Sequence, residues 1–187
     1  MAPDDSLAPP LARSGLSRSA ALQWARASVD RLDARLLLEY VTGCTAAQLL
    51  AHPELLLGTD DVMRYESLVS RRAAGEPLAY LVGSAGFMGD VLEVSPAVLV
   101  PRPETEELVT WALALLADCA EPRIVDLGTG SGAIALALAG ARPDARVLAI
   151  DVSPEALVVA ARNRERLARP NVTFSCTSWF DGVADEA

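Results

Sequence analysis

The 187-residue chain contains no lysine: all 16 basic side chains are arginine, set against 25 acidic ones, for a net charge of -9. With a pI near 4.6, it lacks the dense positive face that displaces counterions, which excludes a protein that tracks duplex nucleic acid. Histidine occurs once, at His52, and the three cysteines, Cys44, Cys119 and Cys176, lie far apart with no C-x-x-C pair. That set builds neither a metal cluster nor a disulfide framework, and the odd thiols read as reduced side chains of a cytoplasmic protein. No apolar run approaches the roughly 20 residues of a membrane span; the longest, 108–117 and 133–141, suit buried helices. The start, Met1-Ala-Pro-Asp-Asp5, is acidic and lacks the positive region that opens a signal peptide.

What is present is a large apolar fraction, 51%, enough to bury a core and to exclude global disorder. The acidity is uneven: up to residue 85 there are 10 acidic and 8 basic residues, and after it 15 and 8. Residues 1–16, with three prolines, read as a flexible tail. Helical patterning follows over 17–29 and over 33–41, the latter with Asp33 as an acidic N-cap and Gly43 beyond its end. Thr45 caps a short piece that stops before Pro53, leaving His52 at a helix end on the surface. A fourth helix, 59–74, opens on Thr59, Asp60 and Asp61 and closes at Gly75, with Val62, Tyr65, Leu68 and Val69 on one side. Residues 17–80 therefore form a small helical bundle, with Arg71 and Arg72 on its solvated face.

The pattern changes at Glu76-Pro77. Short apolar runs separated by Gly83, Gly86 and Gly89, then 91–94 and 98–100, read as a β-hairpin or extended linker over 81–103. Pro103 suits the first turn of a helix over 104–117, whose Glu104, Glu106 and Glu107 complement the helix dipole. From Arg123 strand and helix alternate: strands at 123–127, 146–150 and 172–175, helices at 131–140 and, capped by Ser153 with Pro154 first, to about 168. Alternation of this kind means parallel pairing, so the fold class is α/β, with 104–187 forming the first half of a doubly wound, Rossmann-like sheet.

The chemistry lies in Val125-Asp-Leu-Gly-Thr-Gly-Ser-Gly132. Gly128, Gly130 and Gly132 stand between a strand and a helix, where missing Cβ atoms let the backbone turn sharply and approach a ligand, and where the helix offers free N–H groups. Asp151 ends the next strand, and a carboxylate there can accept both hydroxyls of an adenosine ribose. A dinucleotide fingerprint would place its third glycine at 133, where this chain has Ala133; alanine is allowed there, so the spacing alone leaves a dinucleotide open. Asp126, two residues before the first glycine, repels a pyrophosphate and welcomes a cationic amino-acid group, which favours S-adenosylmethionine over a nicotinamide dinucleotide. A glycine loop serving only tight strand–helix packing is the remaining structural explanation.

Asp126-Leu-Gly-Thr-Gly-Ser-Gly132 resembles motif I of class I methyltransferases, and Pro96-Ala-Val-Leu-Val-Pro-Arg-Pro-Glu-Thr-Glu106 is similar to the signature of the HemK/PrmC family. Gly75-Glu-Pro-Leu-Ala-Tyr80 and Thr177-Ser-Trp-Phe180 resemble family segments in the same order. The family's members are N5-glutamine methyltransferases that act on bacterial peptide chain release factors. The resemblance implies that residues 17–80 recognise the release factor, that Gly128, Thr129, Gly130, Ser131 and Gly132 hold the methionine part of S-adenosylmethionine, that Asp151 binds the ribose and that Trp179 stacks on the adenine. Many relatives carry an acid before that tryptophan; Ser178 stands there instead and bonds the adenine amino group more weakly. Trp24 and Trp111 read as packing residues.

The family's catalytic Asn-Pro-Pro-Tyr, which grips the amide nitrogen of the substrate glutamine and aims it at the methyl group, does not occur. Asn163 and Asn171 lack its flanking residues, so no catalytic residue is assigned, and no metal ligand. Seven residues follow Phe180, whereas completing a seven-stranded sheet takes on the order of 90. The expectation is therefore an amino-terminal portion of such an enzyme, inactive or impaired by itself. Its strand 123–127 would be an apolar edge and its half-sheet less stable than the helical bundle. The alternatives are a non-catalytic truncated paralogue whose helical domain binds a protein partner, and a nicotinamide-dependent oxidoreductase.

Overall fold

In the computed structural model, which describes residues 15–179, the chain divides into two units, one ending at Val82 and the other beginning at Gly83. In the first, the Ser17 hydroxyl accepts the Ala20 N–H and starts α1 (Arg18–Ala25). This helix is shorter than its apolar pattern suggests, because the Ala27 and Ser28 amides tighten onto the carbonyls of Trp24 and Ala25. Helix α2 (Arg31–Thr42) begins earlier than expected, and Asp30 rather than Asp33 is its N-cap. One Asp30 oxygen accepts the Leu32 and Asp33 amides at 2.7 and 3.0 Å, so burial of Asp33 inside the first turn has a different cause. Gly43, left-handed at φ 67°, closes the helix. Thr45 and Gln48 form a reciprocal capping box on α3 (Ala46–Ala51), and His52 ends that helix.

Helix α4 (Thr59–Ala73) supplies the centre of this unit. Its Tyr65, Leu68 and Val69 pack with Ala21, Ala25, Leu37, Leu38 and Val41, and Trp24 lies partly buried against the same cluster. The Tyr65 hydroxyl, fully enclosed, donates to the Ala34 carbonyl at 2.8 Å, and burial pushes its pKa up. A short α5 (Leu78–Val82) follows Pro77, whose carbonyl accepts the Tyr80 and Leu81 amides; the sequence pattern showed a change at Glu76-Pro77 but not this helix.

Arg71 and Arg72 do more than face solvent. Arg71 makes a two-pronged contact with Glu76 at 2.7 and 2.5 Å, and its guanidinium holds the Glu76 carboxyl below the usual range. Arg72 reaches back 39 residues to the buried Asp33 at 2.5 Å. Two arginines adjacent on one helix thus reach acids in different places, and helical spacing alone shows neither partner.

In the second unit, β1 (Ser84–Phe87) and β2 (Asp90–Glu93) pair antiparallel, joined by Met88 and Gly89, both at positive φ. Two left-handed residues give the turn whose twist matches that of the strands. Residues 98–100 are not a strand; the Val98 amide turns back onto the Ser95 carbonyl, and Pro101 and Pro103 lead into α6 (Thr105–Leu115). Then β3 (Arg123–Leu127), α7 (Ala133–Ala141), β4 (Arg146–Asp151), α8 (Pro154–Leu167) and β5 (Val172–Cys176) alternate, with β4 between β3 and β5 and both pairings parallel. Parallel pairing places the strands' carboxyl ends together, and there the loops after β3 and β4 meet. The central β4 is buried from Val147 to Ile150, as a doubly flanked strand should be. Its core combines Val109 of α6, Leu136 and Leu138 of α7, and Val147, Ala149 and Val172 of the sheet.

Arg142, at the end of α7, bonds Asp144 and the carbonyls of Leu116 and Cys119, tying the end of α6 to the turn before β4. The same guanidinium pulls the Asp144 pKa down to about 2. Trp111 departs from its expected packing role: it is 63% exposed, in a stripe with Leu108 and Leu115 on the side of α6 opposite buried Val109. Strand β3 is an edge among the described residues, with Val125 37% exposed beside a concavity of about 430 Å³ over the sheet.

Because Asp33 stays buried when Arg72 is removed, Arg72→Ala is expected to lower the unfolding free energy by about 2 kcal/mol, the range for hydrogen bonds to charged groups. Arg71→Ala, whose partner Glu76 is exposed to solvent screening, should leave the urea midpoint nearly unchanged. Equal shifts in chemical denaturation would contradict the distinction.

Candidate functional site

Between the end of β3 and the start of α7 the backbone passes through three left-handed glycines, with φ 76° at Gly128, 54° at Gly130 and 82° at Gly132. They are not equivalent. A Cβ on Gly132 would meet Leu136 Cδ1 at 2.9 Å, so crowding from α7 adds there to the requirement for a positive φ. Around Gly128 and Gly130 a Cβ would meet nothing within 4 Å. Their requirement is the backbone conformation alone, and it keeps open space beside the loop.

The loop is held from beneath. The Ile150 carbonyl accepts both the Gly128 and Thr129 amides at 2.8 Å, locking the end of β3 to the end of β4. The next carboxylate, Asp151, accepts the Gly130 amide through one oxygen at 2.9 Å and the Ser153 amide through the other at 3.0 Å. Asp151 therefore braces the loop as well as standing at its rim, and each of its oxygens retains a lone pair for a further donor. The sequence suggested only the second task.

Asp126 projects from β3 beneath the same loop, where its carboxylate accepts the Thr129 hydroxyl at 2.7 Å. Burial raises its pKa, the Thr129 bond partly offsets this, and the nearby Asp151 charge adds to the rise. Among the described residues neither Asp126 nor Asp151 has an arginine partner. Among the described residues the buried acid, Asp33, has Arg72, and beside that example two neighbouring half-buried carboxylates without a cation stand out. Thr129 and Ser131 are buried, so at these positions the loop presents backbone rather than side chains.

Leu127, Gly128, Ile150, Asp151, Val152, Thr177 and Trp179 line a concavity of about 190 Å³. It is smaller than the roughly 300–1,000 Å³ of typical ligand pockets, and so covers part of a drug-sized ligand. Trp179 sits at its edge with positive φ and 71% of its surface exposed. Every residue expected at the site, from Gly128 to Gly132 with Asp151 and Trp179, thus falls around one loop and one hollow. Phe180, the last member of the Thr177–Phe180 segment, lies outside the described residues.

Two contributors escaped sequence reasoning. Asn163, on α8, is fully buried and donates to the Ser131 carbonyl of the glycine loop at 2.9 Å. Glu106, expected only to complement the α6 dipole, accepts the Met88 amide at the hairpin turn at 2.8 Å. The signal for Asn163 was present: a polar residue on the apolar side of α8, beside Val159 and Ala160. For Glu106 there was none.

Residues 17–83 match the family model described as the PrmC N-terminal domain, and residues 120–186 match one described as a methyltransferase domain. The chain is 44% identical over 170 residues to the release factor glutamine methyltransferase of Escherichia coli (strain K12), covering 90% of this chain and 61% of that protein. The proteins of the same name from Salmonella typhimurium and Burkholderia pseudomallei are each 47% identical, over 83 and 82% of this chain and 56 and 54% of their own. The chain thus spans somewhat more than half the length of the curated relatives it matches. Its two matched domains occur in the order that the Pro-Arg-Pro-Glu-Thr-Glu106 segment and the Asp126–Gly132 loop suggested, and the chain belongs to the HemK/PrmC family of release factor glutamine methyltransferases.

Proposed function

We propose that this chain supplies the cofactor seat and the amino-terminal domain of a protein-(glutamine-N5) methyltransferase, which moves a methyl group from S-adenosylmethionine to a glutamine of peptide chain release factors. The observation that carries the reading is the pair of carboxylates, Asp126 and Asp151, set under and beside an open glycine loop with no arginine to neutralise them. A pyrophosphate brought there meets two like charges, whereas an ammonium and a sulfonium meet their complement. Bound there, S-adenosylmethionine would supply an electrophilic methyl group.

The residues then divide the work. Gly128 and Gly130 leave room for the methionine part to lie against the backbone, and Asp126 attracts its ammonium from below. Asp151 keeps the loop in shape while its spare lone pairs accept ribose hydroxyls. Leu127, Ile150 and Val152 give the neighbouring hollow apolar walls, and the Trp179 face offers stacking for the adenine. Residues 17–80, matched by the PrmC N-terminal domain, are proposed to engage the release factor. The sequence Asn-Pro-Pro-Tyr is absent from the 187 residues, so this span contributes to binding and positioning and not to the grip on the glutamine amide.

Calorimetric titration of the chain should show binding of S-adenosylmethionine and S-adenosylhomocysteine and none of NADH; preference for NADH would overturn the assignment. Asp126→Asn separates affinity from stability. The raised pKa means that ionised Asp126 costs stability once pH exceeds that value, and the cost is absent below the ordinary carboxylate pKa, where both folded and unfolded forms are protonated. The amide variant should therefore melt at or above the wild-type temperature at pH 7, with the gap closing as pH falls below the carboxylate range. Its affinity for S-adenosylhomocysteine should nevertheless drop tenfold or more. A variant that loses stability and keeps affinity would show that Asp126 serves only the fold.

A further inference from the structure

Helix α8 carries one asparagine in its buried face. Asn163 has no exposed surface, and its carboxamide is fully used. Its oxygen accepts the Glu93 amide at 2.7 Å; its nitrogen donates to the Glu93 carbonyl at 3.0 Å and to the Ser131 carbonyl at 2.9 Å. Arg166, one turn along, adds a donor to the same oxygen at 3.2 Å. Only this orientation matches donors with acceptors, since the flipped amide would face an N–H with NH2 and two carbonyls with oxygen.

Two backbone segments depend on those bonds. At Glu93 the side chain bonds the N–H and C=O of one residue, as a neighbouring strand would, and so completes the last residue of β2 beyond its pairing with Ser84. At Ser131 the carbonyl precedes Gly132, the first acceptor of α7 through its bond from Leu136, and has no place in the helical ladder. A buried carbonyl of that kind requires a donor from elsewhere, and Asn163 provides it. We propose that Asn163 is a positioning residue for cofactor binding, which sets the Gly130–Gly132 peptide geometry and couples it to the hairpin 84–93 through one carboxamide. The proposal rests on the reading of this loop as the S-adenosylmethionine seat.

Asn171 provides the matched control. Its carboxamide nitrogen donates to the carbonyls of Ala139, Arg142 and Ala145, each at 3.2 Å, next to the amino end of β5 and far along the chain from the glycine loop. Asn163→Asp and Asn171→Asp each replace a donating NH2 by an acceptor and should both lower the melting temperature. At a temperature where both are folded, only Asn163→Asp should weaken S-adenosylhomocysteine binding, by tenfold or more. In ligand-free protein it should also speed hydrogen exchange in residues 128–134 and in β1–β2, with β4 as protected as in Asn171→Asp. Should Asn163→Asp fail to fold, Asn163→Ser, which keeps a short donor, replaces it in both measurements. Equal affinity losses in the two variants, or exchange that rises uniformly through the unit, would overturn the proposal. A wild-type chain that binds no S-adenosylhomocysteine refutes the cofactor reading instead, and the ligand-free exchange pattern still decides whether Asn163 holds the loop.

Discussion

The second unit depends on the Ile150 carbonyl, which takes two amides from the adjoining strand's exit. A parallel pair of strands ends with its backbone groups pointing past the sheet, and buried polar groups left there without partners are costly. Here one carbonyl closes the ladder, and the chain can then reverse through three left-handed glycines into α7. Asp151 and Asn163 complete the arrangement from either side, one by accepting the Gly130 amide and the other by donating to the Ser131 carbonyl. Each peptide of the turn that is anchored beneath leaves the upper side open. The seat is thus preorganised by the same bonds that join strand to helix.

Electrostatics would give the proposed seat its selectivity. Three arginines of this unit are committed elsewhere: Arg142 to the end of α6, Arg162 to Glu93, Arg169 to Asp90. The two acids at the loop have hydroxyl and amide donors but no ion-pair partner among the described residues, and burial of Asp126 makes its charge expensive. A binding site that carries an unmet negative charge sacrifices stability for attraction, as functional sites commonly do. The helical unit treats its buried acid in the opposite way, giving Asp33 a close arginine partner. The contrast between Asp33 and Asp126 distinguishes a structural acid from one proposed to bind a ligand.

Sequence reasoning reached the parallel strands almost to the residue because period, turn chemistry and capping all pointed the same way: glycine at 128 after the first strand, and Ser153 before Pro154 after the second. It failed where a tertiary bond competed with a local one. Asp33 looked like a cap because it stands at the head of an apolar stripe, yet Asp30 lies at the distance that reaches the free amides, and Asp33 turns inward to Arg72. Trp111 looked like packing because aromatic residues usually are buried, but Val109 already occupies the inward side of α6. Residues 98–100 carry the apolar pattern of extended chain, but the Val98 amide turns back onto the Ser95 carbonyl.

The amino-acid order alone determined the two-part organisation, the helical and parallel-strand elements, and the glycine loop with an acid ahead of it and another 23 residues after Gly128. Those are local quantities, set by backbone conformation and by the spacing of apolar side chains. Only the folded chain decided which of the three left-handed glycines is crowded as well, that Asp151 braces the loop it borders, and that Asn163 and Glu106 hold backbone groups of distant segments. Such assignments depend on where carbonyls and amides lack partners after the strands have paired, a condition created by long-range contacts and therefore invisible to periodicity.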